Sequence, residues 1–322
     1  MTAPLLDVRG LSRDFEVRKG LFAKSSQLTA ARDVTFQLDR GEILGIVGES
    51  GSGKTTVGRM LMRLTEPTSG SVAVEGTDIL RLSHRGMLPF RRKMQMIFQD
   101  PNSSLNPRMT AGAQIEEAMT IHRIGSQETR GRRVAELIEQ VGLPADTAGR
   151  YPHEFSGGQK QRIGIARALA VEPSILVADE SVSALDVSVQ AQILNMLLDL
   201  RDSMGLAIIF ISHDLSVVEY FADRVIVMYL GHVVETAASS ALFKDAAHPY
   251  TRALIDAAPR PNPDAPKTRE LIRGDLTSAI DLPPGCVYRK RCPIAIDACA
   301  EGTIPLEAIA SNHACACLRA RE

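Results

Sequence analysis

Residues 42–64 read Glu42-Ile43-Leu44-Gly45-Ile46-Val47-Gly48-Glu49-Ser50-Gly51-Ser52-Gly53-Lys54-Thr55-Thr56-Val57-Gly58-Arg59-Met60-Leu61-Met62-Arg63-Leu64. The first six residues form a short apolar run and predict a buried strand. From Val57 to Leu64 apolar residues recur at helical spacing. A glycine-rich turn between them, Gly48 to Thr56, fits G-x-x-x-x-G-K-[ST] in its strand-to-helix setting. Gly48, Gly51 and Gly53 let the backbone curl so that successive N–H groups point inward. The helix N-terminus adds partial positive charge where phosphates would lie. Lys54 brings a full charge, and Thr55 a hydroxyl suited to Mg²⁺. Taken alone, the same glycines also suit a tight turn with no ligand.

The 322 residues carry a formal net charge of -1, and 44% are hydrophobic. That length holds one large domain, or one domain and an extension. The charge balance argues against a dedicated nucleic-acid binder. Leu206 to Ile211 is a run of six apolar residues, far short of the roughly 18 that span a bilayer. Met1 to Arg9 lacks the basic start and apolar core of a signal peptide. A cytoplasmic protein is therefore expected. All five cysteines follow Gly285, and clustering in a reducing compartment favours metal over disulfides.

Strands are predicted at Leu5–Arg9, Thr35–Leu38, Glu42–Val47, Ser71–Val74 and Gln95–Phe98, with a loop at Gly20–Ser26. Phe15 suits either an ordinary sheet aromatic or a stacking face. Gln99, after the Gln95–Phe98 run, sits where parallel sheets place ligands, although Gln99-Asp100-Pro101 is also plain turn chemistry. Residues 110–172 read as mostly helical. Thr129–Val141 is amphipathic and stops at Gly142. Ser156-Gly157-Gly158 reads as the cap of a helix from Gln159 to Ala170. That cap is either a second anion site or a simple helix start.

Ser174–Ala178 predicts a strand ending in Asp179 and Glu180. Two adjacent acids there are costly to bury without a cation. They divide naturally into a Mg²⁺ ligand and a base for water. Ser183 to Asp186 forms a turn. Val189 to Met204 marks a helix face ended by Gly205. Leu206–Ile211 is the next strand, followed by Ser212-His213-Asp214. A lone histidine at a helix start is usually a cap. Here it is the third polar group at a strand end, which favours a functional reading. Val225–Met228 is a last core strand, so the pattern is α/β with a mostly parallel sheet. From Ala246 the chain becomes Pro-rich, read as a docked helix and then a linker.

Together these stretches resemble the ATP-binding subunit of an ATP-binding-cassette (ABC) transporter, over about residues 5 to 256. VGESGSGKTT, RRKMQMIFQDPNSSLNPRM, YPHEFSGGQKQR, SVSALDVSVQAQILN, FISHDLSVV and HPYTRALI are similar to the oligopeptide/dipeptide importer subfamily. The details resemble the F-type of its two ATPase subunits, and GCVYRKRCP resembles that subfamily's C-terminal extension. The resemblance implies a P-loop NTPase cassette with a RecA-like core, an antiparallel β-subdomain and a helical signature subdomain at about 102–168. A small Cys-rich extension at 257–322 follows the cassette at 5–256.

It also implies roles. Phe15 stacks on adenine, and Gly48, Glu49, Ser50, Gly51, Ser52, Gly53, Lys54, Thr55 and Thr56 hold the phosphates. Thr55, Gln99 and Asp179 serve Mg²⁺, with Gln99 also sensing the γ-phosphate. Glu180 polarises water and His213 contacts the γ-phosphate. Ser156, Gly157, Gly158 and Gln159 meet ATP held by a partner subunit, and Asp186 communicates across that interface. Ser181 departs from the Pro or Ala common in relatives.

The implied partners are a second ATPase of D type, two transmembrane permease subunits and an extracytoplasmic solute-binding protein, with no nucleic acid. The implied place is peripheral, on the cytoplasmic face of the inner membrane. Peptides lead as the solute, with nickel, glutathione or sugar as alternatives. A soluble non-transport ATPase is the rival class, and the single cassette without a heptad run speaks against it. Cys286, Cys292, Cys299 and Cys317 are the expected ligands of a [4Fe–4S] cluster or Zn²⁺, with Cys315 spare.

Overall fold

The computed structural model describes residues 3–17, 25–258 and 279–320. These form two compact units. One comprises the residues up to Leu38, Ile43–Thr77 and those from Phe210 onward; the other is Asp39–Glu42 with Asp78–Ile209.

The first unit begins with two long strands, β1 (Leu6–Val17) and β2 (Ser26–Leu38), paired antiparallel from Leu6↔Leu38 to Val17↔Ser26. Next come β3 (Ile43–Val47), buried at every residue, and helix α1 (Lys54–Leu61). Strand β4 (Ser69–Val74) pairs antiparallel with β1 and leads into the two-residue β5 (Thr77–Asp78). The antiparallel sheet has the order β2-β1-β4-β5.

The second unit contains α2 (Leu88–Lys93), β6 (Met94–Ile97) and the single turn α3 (Pro101–Ser104). Helices α4 (Ala111–Ile121), α5 (Gln127–Gln140) and α6 (Gly157–Leu169) follow, with short 3₁₀ turns between α5 and α6. Thr110, Ser126 and Ser156 cap the three helices through side-chain oxygens, each satisfying an otherwise orphaned N–H. Strand β7 (Ile175–Asp179) runs parallel to β6. Helix α7 (Val187–Met204) ends at Gly205, whose φ of 63° closes it as a left-handed cap. Strand β8 (Ala207–Ser212) is wholly buried.

The chain then returns to the first unit through α8 (Leu215–Phe221), β9 (Arg224–Tyr229), β10 (His232–Ala238), α9 (Ser239–Lys244) and α10 (Pro249–Ala257). Beyond these lie β11 (Glu307–Ala310) and β12 (His313–Cys315). Strand β9 is parallel to β3 and antiparallel to β10, so this sheet is mixed. Strand β12 pairs antiparallel with β10, at Glu235↔Cys315 and Thr236↔Ala314. Through β12 the Cys-rich extension continues the sheet that holds β9 and β10. In the β3–β9 and β6–β7 pairs the strands are largely apolar and buried, as parallel sheets require.

Two expectations need correction. Strands were expected to stop at Arg9 and to start at Thr35, but the ribbon extends through Val17 and from Ser26. Ser26 is strand rather than loop, and most of the expected Gly20–Ser26 loop lies outside the described residues. So does the expected linker beyond Ala258. Among the described residues, no helix is long and apolar enough to cross a membrane.

Candidate functional site

The phosphate loop leaves β3 at Gly48 and enters α1 at Lys54. Gly48, Gly51 and Gly53 have φ of 151°, 79° and 101°. A Cβ on Gly53 would lie 2.0 Å from the Ala30 carbonyl oxygen, and one on Gly48 would lie 2.2 Å from that of Met228. No side chain fits at either position. Gly51 meets nothing within 4 Å and faces open space. Lys54 is only 4% exposed. Its ammonium donates to the carbonyls of Gly48 at 2.8 Å and Glu49 at 2.9 Å, and to Ser52 Oγ at 3.4 Å. A buried ammonium therefore sits inside the loop on acceptors that an anionic oxygen can replace. Ser50 is exposed, Ser52 is buried, and Thr55 and Thr56 are half-buried.

At the end of β7, Asp179 is 3% exposed. Glu180 follows with a φ of 44°, a left-handed conformation that costs a non-glycine residue energy and concentrates at functional sites. The turn is held by the Glu180 carbonyl, which accepts from Ser183 N–H at 3.2 Å and Ser183 Oγ at 2.9 Å. Gln99, exposed just beyond β6, donates from Nε2 to Glu180 Oε2 at 2.8 Å. Parallel pairing of β6 with β7 brings these two strand ends together. Ser181 is buried, and its hydroxyl has no hydrogen-bond partner among the described residues. His213, in the first unit, is exposed between Ser212 and Asp214. Asp214 caps α8 by accepting from Ser216 N–H at 2.9 Å, so the cap role falls to the aspartate and not to the imidazole.

Helix α6 opens with a reciprocal capping box. Ser156 Oγ accepts from Gln159 N–H at 3.3 Å, and Gln159 Oε1 accepts from Ser156 N–H at 3.0 Å. The N–H groups of Gly157 and Gly158 lie in the first turn and have no intrahelical acceptor. A Cβ on Gly158 would strike Val189 of α7 at 2.5 Å, and one on Gly157 would meet Leu185 at 3.6 Å. Gly158 thus lets α7 pack close against the start of α6, and Leu185 of the Ser183–Asp186 turn lies beside Gly157. Asp186 makes no side-chain cap bond, although it stands at the N-cap of α7. Ser156, Gly157 and Asp186 are exposed, and Val187 is 82% exposed. An exposed helix N-terminus beside an exposed aliphatic side chain is suited to meet another surface.

In the extension, Cys286, Cys292, Cys299 and Cys317 line one cavity together with His248, Tyr288 and Arg319. Cys286 N–H donates to the Cys299 carbonyl at 2.8 Å, tying two of these positions through backbone. Burial first, and then the neighbouring thiols, push Cys286 up to about 11; burial likewise raises Cys292 and Cys317. These thiols are protonated at neutral pH. As the side chains stand, no group of three or more His, Cys, Asp or Glu among the described residues is arranged to hold a metal ion. Cys315 is buried in β12, outside that cavity.

Comparison with known proteins identifies the family. Residues 31–183 match the model of the ABC transporter family, and residues 234–299 match that of the oligopeptide/dipeptide transporter C-terminal region. A putative peptide import ATP-binding protein of Brucella abortus is 53% identical over 98% of both chains. The dipeptide transport ATP-binding protein DppF of Haemophilus influenzae is 46% identical over 98% of this chain and 96% of its own. This chain belongs to the ATP-binding proteins of the oligopeptide/dipeptide ABC import family.

Among solved structures, a dimeric ATP-binding cassette, MJ0796, bound to ADP and Pi is 29% identical with a TM-score of 0.65. The match covers 73% of this chain and 98% of that one. The cassette fold, with its mixed sheet and antiparallel subdomain, is therefore the one expected. The oligopeptide-family region begins at residue 234, inside β10, where the extension docks.

Of the expected cassette residues, the structure joins Gln99 to Glu180 and Lys54 to Gly48 and Glu49. It also sets Gly157 beside Leu185 of the Ser183–Asp186 turn and Gly158 against α7. Phe15 is half-buried on β1 opposite Leu28, with the Arg13 guanidinium 4.4 Å from its ring centroid. Sequence reading missed two hubs. Glu235, with 0% exposure, accepts from Ala247 N–H at 2.6 Å and His248 N–H at 3.0 Å, and pairs with His313 Nε2 at 2.7 Å. Arg291 reaches Glu49 of the phosphate loop. Only a charged residue inside an otherwise apolar strand pattern marked Glu235; nothing local marked Arg291.

Proposed function

We propose that this chain is one of two cassettes that energise a peptide importer. As an ABC ATPase of the oligopeptide/dipeptide family, it binds ATP and hydrolyses it for transport. The observation that carries the fuller reading is the exposed, capped start of α6 lying against the Ser183–Asp186 turn. Such a surface serves a nucleotide held by a second cassette, and a dimeric relative supports that assembly. ATP then favours the closed pair by binding both faces, and hydrolysis removes that preference.

In this reading Lys54 trades its hold on the Gly48 and Glu49 carbonyls for the phosphates. Glu180, fixed by Gln99, orients the attacking water and takes its proton. His213 steadies the γ-phosphate. Phe15 stacks on adenine. Thr55, Asp179 and the carbonyl oxygen of Gln99 are hard oxygen donors that suit Mg²⁺. The bond from Gln99 Nε2 to Glu180 leaves that oxygen available. Bound Mg²⁺ supplies charge neutralisation on the β- and γ-phosphates. Ser156, Gly157, Gly158 and Gln159 meet the partner's ATP, and Asp186 lies at the same junction. The partner is a D-type cassette, and two permeases bind near Gln99. An extracytoplasmic binding protein selects the solute. The chain sits peripherally on the cytoplasmic face of the inner membrane.

The four-thiol cavity fits a [4Fe–4S] cluster in donor type, since four thiolates hold such a cluster. Burial raises the thiols of Cys286, Cys292 and Cys317, so a metal must displace their protons to bind. The thiols also have to close further on one another. A cluster there supplies a structural staple to a tail with little core of its own.

A tag on this chain, used to purify the complex from its native membranes, should recover a second cassette and two permeases. Anaerobic material should carry about four irons per chain. Recovery of ribosomes or DNA without permeases would refute the transport reading. Two copies of this chain without a second cassette would refute the D-type partner. Protein with neither iron nor zinc and an ordered tail would refute the cluster.

A further inference from the structure

The phosphate loop is gripped from behind by the C-terminal extension. Arg291 follows Glu49 by 242 residues, yet its guanidinium forks over the Glu49 carboxylate. Nη1 donates to Oε2 at 2.9 Å and Nη2 to Oε1 at 3.2 Å. Nη1 also donates to Tyr229 Oη at 3.2 Å. The two charged side chains are 7% and 18% exposed. This is a bidentate, largely desolvated pair, unlike the solvent-screened ion pairs of the surface.

Glu49 is also tied at both backbone ends. Its N–H donates to Tyr250 Oη at 2.9 Å, and its carbonyl accepts from Lys54 Nζ at 2.9 Å. Tyr250, Tyr229 and Tyr288 pack as a triad, with ring centroids 4.6 to 5.3 Å apart. Tyr288 comes from the same stretch of tail as Arg291. One loop residue therefore joins the phosphate-binding lysine, the aromatic triad and the tail.

A carboxylate in a loop that receives triphosphate is unfavourable, because like charges at short range repel. Arg291 cancels that charge, and the fork holds Glu49 and its carbonyl in place. We infer that Arg291 is a positioning residue for nucleotide binding, acting through Glu49 to neutralise and brace the phosphate loop. The inference rests on nucleotide binding by that loop. Arg291 itself touches no reacting atom.

The test uses the full chain for MgADP affinity and the assembled transporter for KM and kcat. Arg291→Met should weaken MgADP binding and raise the KM for ATP by at least about tenfold, equivalent to about 1.4 kcal/mol. The fall in kcat should be much smaller. Arg291→Lys keeps the charge without the fork and should lie between the two. Glu49→Gln removes the loop carboxylate together with the fork and should lose much less MgADP affinity than Arg291→Met. The double variant Arg291→Met/Glu49→Gln removes both charges and should recover most of the lost affinity. A purely structural role predicts the opposite: the double variant no better than Arg291→Met. Folded Arg291→Met with wild-type affinity would also overturn the inference. Should Arg291→Met fail to fold, the contrast between Arg291→Lys and Glu49→Gln decides, with equal affinity in the two counting against it. Wild-type protein that binds no nucleotide would instead refute the reading of the loop.

Discussion

Acid should unfold this protein partly through one imidazole. His248 is buried, and its Nδ1 accepts from Tyr250 N–H at 3.1 Å. Burial, and then the charge of Arg252, push it down from 6.5 to about 3. Because the folded pKa is the lower, the unfolded chain takes up a proton that the folded chain refuses. Stability is therefore complete above about pH 6.5 and falls as pH drops toward 3. Each pH unit in that window costs about 1.4 kcal/mol. At pH 5.0, roughly 1.5 units below the unfolded value, the loss is about 2 kcal/mol. Protonation also removes the acceptor that caps α10. Asparagine offers a cap oxygen without titrating, so His248→Asn should retain the helix start and lose the acid sensitivity. Urea unfolding at pH 7.5 and 5.0 measures the effect. The wild type should lose about 2 kcal/mol more than the variant between the two pH values. Identical losses would show that His248 is not held neutral by its surroundings.

Two further substitutions test the local geometry. Gly53→Ala places a methyl group 2.0 Å from the Ala30 carbonyl at a φ of 101°. It should cost about 1–3 kcal/mol in backbone strain and sharply weaken MgATP binding; unchanged melting and affinity would contradict the loop geometry. Ser181→Ala removes a buried hydroxyl with no partner among the described residues and should stabilise the chain by about 1 kcal/mol in urea unfolding. A net loss would mean that the hydroxyl is satisfied in solution.

The cassette was legible because its chemistry is written in short local stretches. Gly48 to Thr56 forces one backbone path, since Gly48 and Gly53 press against carbonyls that admit no Cβ. Ser156-Gly157-Gly158 announces α6 as a helix cap, and the structure adds the reciprocal bond from Gln159. The Gln99–Glu180 bond follows from two strand ends whose parallel pairing the alternating pattern implied. The long β1–β2 ribbon was less visible. Its outer half, around Ser12, Arg13 and Asp14, is only partly buried, and register shifts at Leu11 and Arg13 interrupt the alternation. The Glu235–His313 and Arg291–Glu49 pairs span 78 and 242 residues. No periodicity carries contacts over such separations. Cys286, Cys292, Cys299 and Cys317 line one cavity, with Cys315 outside it. Their spacing in the sequence alone did not specify that grouping.

The central claim is that ATP turnover by this chain drives solute uptake, with Glu180 handling the water. The direct measurement is ATPase activity and dipeptide accumulation in proteoliposomes containing the assembled transporter, with Glu180→Gln introduced into this chain. MgATP binding should persist, turnover should fall at least ~10²-fold, and accumulation should stop. Near-normal ATPase activity, or dipeptide accumulation that continues without turnover by this chain, would contradict the account.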